Sequence, residues 1–353
     1  MRQCLIQLRQ AALTHNLQQV RLRAPHSRVL SMVKANAYGH GIAGAVAGLA
    51  DSDAFGVAFW AEALAVRALT DKPVVLIEGA FTLDEWLQAG QQGFHCLIHQ
   101  PRQLDWALAH PRPDRPIWLK INTGMNRLGF VPEAAIRAGQ QLQAAGHTLV
   151  LTMHFANADQ PDAPSNAEQV ARFSQVRAAL PEAQVSLCNS AALLHWPALH
   201  GDWVRPGIML YGSSPLEGTR ATALNLQPVM RVTAPLMAVH ELPVGAAVGY
   251  GSRWVARRPS RIGIVAIGYG DGYPRTVQGA VARLAGQPVP VVGRVSMDML
   301  MVDLTDLSFV PPLDAEVELW GDAVSVDAVA ACCGTIGYEL LCRMTDRPER
   351  RWV

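Results

Sequence analysis

A single lysine at the end of an apolar run is the residue of this sequence with the clearest chemical potential. Val29–Val33 is apolar apart from one serine, Lys34 follows it, and Tyr38, Gly39 and Gly41 come next. A lysine placed where a buried strand meets a loop is partly desolvated, and its amine is then available as a Schiff-base nucleophile or as a base. Glycines let a backbone approach a ligand closely, and a tyrosine hydroxyl can bind a phosphate. The alternative is a lysine that only extends to the surface as its strand ends.

Eight short apolar runs alternate with amphipathic stretches over the first two thirds of the chain. Three of those stretches predict helices, at Ala61–Leu69, Pro132–Ala145 and Asn166–Leu180. The alternation is typical of an α/β fold with a (β/α)8 TIM-like barrel, and a doubly wound sheet is the alternative. The candidate strands are Arg28–Lys34, Ala54–Phe59, Pro73–Glu78, His95–His99, Pro116–Ile121, Thr148–His154, Gln184–Cys188 and Trp203–Leu210.

The pattern changes after Tyr211. Ser213–Gln227 is polar and irregular, which indicates a linker, and helical periodicity then returns only at Val326–Cys333. We therefore expect a barrel domain over residues 1–225 and a mainly β domain over residues 226–353, with the extreme N-terminal strand a candidate to pair with the β domain. The candidate strands of the second domain are Met230–Val239, Arg261–Ile267, Val289–Gly293, Leu300–Leu304 and Glu316–Trp320.

Composition excludes several classes of function. Half of the residues are hydrophobic, 30 basic residues balance 29 acidic ones, and the net charge is +1. The absence of basic runs argues against a nucleic-acid surface, and no apolar run reaches the ~18 residues of a membrane span. Met1–Leu5 has no hydrophobic signal core, so we expect a cytoplasmic protein with its six cysteines reduced. His95 and His99 in one strand would stand too far apart to share an ion, so no metal is predicted.

Polar residues occur where the candidate barrel strands end, which is where barrels carry their functional groups. Lys34 ends the first candidate strand, Lys120 lies near the end of the fifth, and His154 ends the sixth. Gly207 and Ile208 come after the first residues of the eighth candidate strand, at a position where barrels often bind a phosphate through backbone N–H groups. Each residue has an ordinary structural explanation when it is considered alone. Their common position predicts one site.

Eight motifs, in this order, resemble those of bacterial alanine racemases, which use pyridoxal phosphate (PLP). The resemblance runs from about Val29 to Leu341, and the last residues, Cys342–Val353, are interpreted as a divergent tail without catalytic consequence. The motifs are Val33–Gly41, Lys120–Gly129, Thr152–Ala156, Cys188–Ala192, Val204–Ile208, Val248–Gly251, Val295–Met299 and Gly337–Leu340.

The resemblance implies an alanine racemase in which Lys34 holds PLP as a Schiff base and serves as the base on one face of the substrate. Tyr250 of a partner subunit would serve the other face, in a homodimer that shares its active sites. Because tyrosine is a weak base at neutral pH, a cationic chain of His154 and Arg205 would assist it. Arg205 would also face the pyridine nitrogen of PLP, which favours racemisation over decarboxylation.

The resemblance also implies substrate and cofactor contacts. Arg127 and the N–H of Met297 would bind the alanine carboxylate, and Lys120, carbamylated or plain, would orient Arg127. The other cofactor residues would be Tyr38, His154, Asn189, Ser190, Gly207, Ile208 and Tyr338. Asp159, Tyr269, Arg275 and Arg294 would line the access channel, although ordinary surface ion pairs are an equal explanation for these four.

Two other functions stay open. A racemase of broad specificity would need a roomier pocket around Tyr250 and Tyr338, whereas a small pocket suits a methyl side chain. A non-catalytic PLP-binding protein would keep the lysine but lack the β domain, and here Tyr250 and Met297 are both present. The sequence does not distinguish D-alanine synthesis for peptidoglycan from alanine catabolism.

Overall fold

Eight parallel strands form the inner sheet of the N-terminal part of the protein in a computed structural model, which describes residues 4–353. Residues 1–3, which belong to the segment without a signal core, lie outside the described residues. The sheet runs in the order β8-β7-β6-β5-β4-β3-β2-β9, and Arg205 and Asp202 donate backbone hydrogen bonds to Cys188 and Val185 across its open side. The predicted barrel is confirmed. After β1 (Leu5–Leu8), its strands are β2 (Arg28–Met32), β3 (Ala54–Val57), β4 (Val74–Leu76), β5 (Phe94–Ile98), β6 (Ile117–Lys120), β7 (Leu149–Thr152), β8 (Gln184–Ser186) and β9 (Trp203–Val204).

Helices cover the outside of the barrel, and local signals set their ends. In α5 the Thr82 side chain accepts a hydrogen bond from the N–H of Glu85, and Gly93 ends the helix in the left-handed conformation. Pro132 and Pro164 occupy the first positions of α7 and α8, where no N–H is needed. The helices are α1 (Gln10–Arg23), α2 (Lys34–Tyr38), α3 (Ile42–Gly48), α4 (Trp60–Arg67), α5 (Leu83–Gln92), α6 (Pro101–Ala109), α7 (Pro132–Ala144), α8 (Pro164–Ala179) and α9 (Ser190–His195).

The C-terminal part of the chain is mainly antiparallel, as the sequence predicted. Its sheet runs in the order β13-β16-β15-β14-β17-β10-β1-β18, and β10 pairs with β13 as well, so that six strands close on themselves. Its strands are β10 (Met230–Leu242), β11 (Ala247–Val248), β12 (Trp254–Val255), β13 (Ser260–Val265), β14 (Val281–Leu284), β15 (Gln287–Val292), β16 (Leu300–Asp303), β17 (Glu316–Trp320) and β18 (Glu349–Trp352), with the helices α10 (Val326–Cys332) and α11 (Gly337–Arg343).

Two predictions about local structure were wrong. The candidate strand Trp203–Leu210 ends at Val204, because Pro206 has no N–H to donate and Gly207 leaves the extended region; Ile208–Tyr211 is a 3-10 turn. The last residues are not a divergent tail either. β18 pairs in parallel with β1, which itself pairs with β10, and the side chain of Trp352 packs against Gly44 of α3. The end of the chain therefore ties the β sheet to the barrel.

Candidate active site

A cavity of about 590 Å³ opens at the carboxyl ends of the barrel strands. Eleven of the residues that the sequence analysis selected line this one cavity, namely Lys34, Tyr38, Lys120, Arg127, His154, Asn189, Ser190, Arg205, Gly207, Ile208 and Tyr338. The sequence analysis missed others, among them Glu78, Trp118 and Cys342. Apolar periodicity explains Trp118 as core. Glu78 ends the candidate strand Pro73–Glu78, which was a signal that could have found it, and nothing in the sequence marks Cys342 as a pocket residue.

Lys34 reaches this cavity from a turn of unusual hand. Strand β2 ends at Met32, and the backbone from Ala35 to Tyr38 has φ between 52° and 54°, the left-handed region. Each non-glycine residue in this region costs roughly 1–2 kcal/mol, so the surrounding structure must hold the turn. Glu62 accepts a hydrogen bond from the N–H of Ala35, at 2.6 Å. The strained residues come directly after Lys34, and they fix the direction in which the Lys34 side chain leaves strand β2.

The imidazole ring of His40 stabilises the same turn. Its Nδ1 lies 2.9 Å from the carbonyl oxygen of Tyr38 and 3.1 Å from that of Ala37, and burial lowers the pKa of the imidazole to about 4. The ring is therefore neutral at physiological pH and can donate from Nδ1 to these carbonyls. A side-chain carbon on Gly39 would meet the carbonyl oxygen of Leu341 at 2.1 Å, so only glycine fits this position.

One side of the cavity offers neutral hydroxyl and N–H groups. Burial raises the pKa of Tyr38 and Tyr338, so both hydroxyls stay protonated and can donate. A side-chain carbon on Gly207 would lie 2.4 Å from the Tyr38 hydroxyl, so the absence of that carbon lets Tyr38 approach this backbone. The Ser190 hydroxyl accepts the N–H of Gly207 at 2.9 Å, and Asn189 caps the short helix α9. This arrangement of donors fits a phosphate group.

Arg205 is fixed in a single orientation at the base of the cavity. Its Nη1 donates to the carbonyl and hydroxyl oxygens of Ser186 at 2.7 and 2.6 Å, and its Nη2 donates to the carbonyls of Met153 and Leu187 at 2.6 and 3.2 Å. Burial lowers the pKa of Arg205 to about 10, so the guanidinium stays charged at neutral pH. None of these four bonds goes to His154, so the predicted Arg205–His154 chain is absent from these contacts.

The opposite side of the cavity concentrates positive charge. Burial, followed by the charges of Arg205, Arg127 and Lys34, lowers the pKa of Lys120 well below its usual value. Burial and the same neighbours, with Lys120 first among them, lower the pKa of His154. The imidazole of His154 is therefore neutral at physiological pH, and the amine of Lys120 loses its proton more readily than an exposed lysine does. Such a region attracts an anionic ligand, and a carboxylate or phosphate would relieve the repulsion.

The remaining predicted residues lie elsewhere in the chain. Tyr250, Tyr269, Arg275 and Met297 line a second cavity of about 460 Å³ in the β domain. The side chains of Tyr250 and Met297 are 68% and 52% exposed, so neither is part of the barrel cavity of its own chain. Arg294 lies beside Gly251, and the charge of Asp159 acts on Tyr338 at the cavity. One chain therefore brings together the lysine and the cradle of donors, but not the two groups on the β domain.

A barrel with a lysine, a fixed arginine and a cradle for a phosphate at its strand ends belongs to the class that includes the barrel-type PLP enzymes. Comparison with known proteins is more specific. The alanine racemase N-terminal domain matches residues 8–215 and the alanine racemase C-terminal domain matches residues 229–352. The chain belongs to the alanine racemase family.

Individual relatives agree along the whole chain. An alanine racemase of Psychrobacter sp. is 51% identical, with 99% of each chain covered. The solved structure of alanine racemase from Acinetobacter baumannii superimposes with a TM-score of 0.98 at 46% identity, covering 100% of both chains. That of alanine racemase from Bartonella henselae, described with covalently bound pyridoxal phosphate, has a TM-score of 0.90 at 28% identity and 99% coverage of both chains. The relatives extend through the C-terminal segment that the sequence analysis had set aside.

Proposed function

We propose that the protein interconverts L-alanine and D-alanine with PLP as its cofactor. The observation that carries this proposal is the single cavity that holds Lys34, the buried Arg205 and the phosphate cradle together. When bound, PLP supplies a conjugated ring that spreads the charge left when the α-proton departs. The residues that would hold it are Lys34 through its amine, Arg205 at the ring, His154 and Asn189 along its sides, and Tyr38, Ser190, Gly207, Ile208 and Tyr338 at the phosphate.

The substrate is held and the proton moved by residues from both domains. Arg127 binds the carboxylate of alanine through its fork, and the N–H of Met297 adds a second contact. Lys34 exchanges the α-proton on one face and Tyr250 exchanges it on the other. Because Tyr250 and Met297 lie outside the barrel cavity of their own chain, the complete site requires a second copy. We therefore propose a homodimer that places Tyr250 of each subunit over Lys34 of the other.

Charge at Arg205 favours racemisation over alternatives that use the same cofactor. When PLP is bound, the guanidinium of Arg205 near its ring nitrogen would disfavour protonation there and would weaken the ring as an electron sink. Its four hydrogen bonds to the protein prevent the guanidinium from swinging away.

Asp159, Tyr269, Arg275 and Arg294 would line the access channel of the assembled dimer. Among residues 4–353 no helix is long and apolar enough to cross a membrane. We further propose that the enzyme acts in the cytoplasm on alanine for peptidoglycan or for alanine catabolism.

The proposed reaction predicts α-proton exchange with loss of chirality. In D2O, L-alanine and D-alanine should each gain deuterium at the α-carbon and approach an equal mixture, because proton removal and return occur on opposite faces. Leucine, lysine and arginine, as the control substrates, should exchange slowly in the narrow pocket. Proton NMR with chiral chromatography of the same samples measures both quantities. Equal rates on the larger amino acids would favour the broad-specificity racemase, and binding of PLP without any exchange would favour a non-catalytic carrier.

We also propose that Lys120 carries a carbamate. Burial and three neighbouring cations lower the pKa of its amine, which favours the neutral form, the form that attacks CO2. A carbon–nitrogen bond forms, one carbon–oxygen π bond opens, and a proton leaves the nitrogen for solvent. The resulting anion would neutralise part of the surrounding positive charge and orient Arg127.

Labelled bicarbonate tests this modification. Wild-type protein equilibrated with ¹³C-bicarbonate should show one carbamate ¹³C signal per chain, and Lys120→Ala should lose it. Lys72→Ala is the matched control, because the ammonium of Lys72 binds the carbonyl of Ser52 away from the cavity, and it should keep the signal. A signal that survives in Lys120→Ala, or none in the wild type, would leave Lys120 as a plain amine.

A further inference from the structure

A cluster of arginines lies at the amino ends of the barrel strands, on the face opposite the active-site cavity. Arg28 begins β2, Arg67 ends α4 ahead of β4, and Arg112 and Arg115 lie in the loop before β6. All four act on His95, near the start of β5, where burial together with these charges lowers the pKa of the imidazole to about 4. We call these five residues the arginine cluster. None of them lines the active-site cavity.

Two guanidinium groups of the cluster converge on one point of the surface. A side-chain carbon placed on Gly93 would lie 3.9 Å from Nη2 of Arg67 and 3.9 Å from Nη2 of Arg115. Gly93 is the left-handed residue that ends α5, with φ of 76°, so the backbone favours glycine there. Without a side chain on Gly93, two like charges approach the same space above its backbone.

Each of these two side chains is anchored by one arm, which leaves the other directed at that space. Arg67 donates from Nη1 to the carbonyl of Thr70 at 2.9 Å, and its guanidinium lies over the ring of Phe94 at 5.7 Å. Arg115 donates from Nη1 to the carbonyl of Gly90 at 2.5 Å. Because each guanidinium is held in place, little rotamer entropy remains to be lost when its Nη2 binds a ligand. An anion bound there shares the Nη2 of Arg115 with the carboxylate of Asp114.

Acidic partners within the protein compensate only part of the charge. The carboxylate of Asp114, whose side chain is 61% exposed, lies 3.2 Å from Nη2 of Arg115. Within residues 4–353, neither Arg67 nor Arg112 has a carboxylate at ion-pair distance. Three nitrogens of the cluster, Nε of Arg67, Nη1 of Arg112 and Nδ1 of His95, are buried without a hydrogen-bond partner. These three nitrogens are shielded from solvent and are not the Nη2 atoms beside Gly93, so they add uncompensated polarity to the cluster and do not mark the position of a ligand.

We propose that the arginine cluster binds a phosphate-type oxyanion above Gly93, between Arg67 and Arg115. A tetrahedral oxyanion presents several acceptor oxygens, which suit two guanidinium forks at once. The negative charge of the anion removes the repulsion between Arg67 and Arg115. The guanidinium of Arg112, which is stacked on Trp86 at 3.7 Å, adds positive potential. The ligand is inorganic phosphate or the phosphomonoester end of a small metabolite, since both offer the same oxygens.

This site lies apart from the catalytic cavity, and we expect its occupancy to change the stability of the protein and not its turnover. The cluster lies at the end of the barrel away from Lys34, so occupancy should stabilise the folded chain by mass action without changing kcat. The bound anion should also raise the pKa of His95, because a negative charge favours the imidazolium. The groups that face His95 and set its starting value are Arg115, Arg112, Arg28 and Arg67.

Titration of the PLP-loaded enzyme with inorganic phosphate tests the proposal, since PLP already fills the phosphate cradle of the catalytic cavity. Ionic strength is held constant with sodium chloride. Calorimetry should show one saturable site per chain, and NMR should show an upward shift of the His95 pKa. Glycerol phosphate in place of phosphate distinguishes the two sources of the oxyanion by which of them binds more tightly.

Two variants and a control decide where the anion binds. Arg67→Gln and Arg115→Gln should each weaken phosphate binding at least tenfold while leaving kcat unchanged, and either one that folds is sufficient. Arg137→Gln, at an exposed position on α7, should bind phosphate as the wild type does. Unchanged affinity in both cluster variants would overturn the proposal, and so would the absence of saturable binding in the wild type at tens of millimolar phosphate.

Discussion

Replacing Lys34 by alanine should abolish racemisation, with a loss of roughly 10⁴-fold or more. In the proposed mechanism the variant removes both the amine that holds the cofactor and the base on one face of the substrate, and Lys120 is the one other amine among the residues that line the cavity. Borohydride reduction should fix PLP to the wild-type chain at Lys34, and the same treatment of Lys34→Ala should leave the chain unlabelled. Peptide mapping by mass spectrometry, with turnover measured in parallel, checks both results.

The chain has few lysines, so the residue that carries the label can be assigned directly. Lys34, Lys72 and Lys120 are its only three lysines. Lys72→Ala is the matched control and should keep both the label and the activity. PLP found on Lys72 or Lys120 of the reduced wild type would contradict the assignment of Lys34. Because the left-handed turn begins at Ala35, after the substituted residue, we expect Lys34→Ala to fold and to retain the cavity.

Replacing Tyr250 by phenylalanine should leave PLP attachment intact and reduce turnover by about 10²–10⁴-fold. In the proposed dimer the change removes only the hydroxyl that would exchange the α-proton on the second face, whereas the barrel of the other subunit would still hold the cofactor. Exchange in D2O should be impaired most for the enantiomer whose proton faces Tyr250. Tyr269→Phe is the neighbouring control in the same cavity, and it should cost much less if Tyr269 only lines the access channel.

Mixing the two inactive variants tests whether the active site is shared between subunits. In random dimers of Lys34→Ala with Tyr250→Phe, about half are mixed, and each mixed dimer restores one of its two sites if Tyr250 acts across the interface. Activity should therefore return to about a quarter of the wild-type value. If both residues acted within one chain, every mixture would stay inactive, and the head-to-tail homodimer would be the wrong assembly.

Cavity-lining residues differ in how far the sequence alone could specify them. Lys34, Arg205 and His154 fall in or beside apolar strands, so strand periodicity placed them near one end of a barrel. The left-handed turn from Ala35 to Tyr38 was not predictable, because alanine and tyrosine do not favour that conformation. Packing of Gly39 against Leu341, which is remote in sequence, helps to hold it.

Three other features depended on contacts between distant parts of the chain. The role of the last residues was misread because β18 is a strand only through its pairing with β1, which lies more than 300 residues earlier in the sequence. Cys342 enters the cavity through the fold and not through any local pattern. The convergence of Arg67 and Arg115 above Gly93 joins the end of one helix to a loop some 45 residues later.

The sequence by itself determined the alternation of strands and helices, the switch to a β domain and the chemical types at the strand ends. Those properties follow from local hydrophobic periodicity and from the functional groups themselves. Only the tertiary structure decided which of these groups share a cavity. It placed Tyr250 and Met297 apart from Lys34, shifted the pKa of Lys120 and His154, and left Arg115 as the one member of the arginine cluster with an acidic partner among residues 4–353. Distances between residues remote in sequence and the exclusion of water arise from packing, and they set both the electrostatics and the separation of Tyr250 from Lys34 on which the proposed dimer rests.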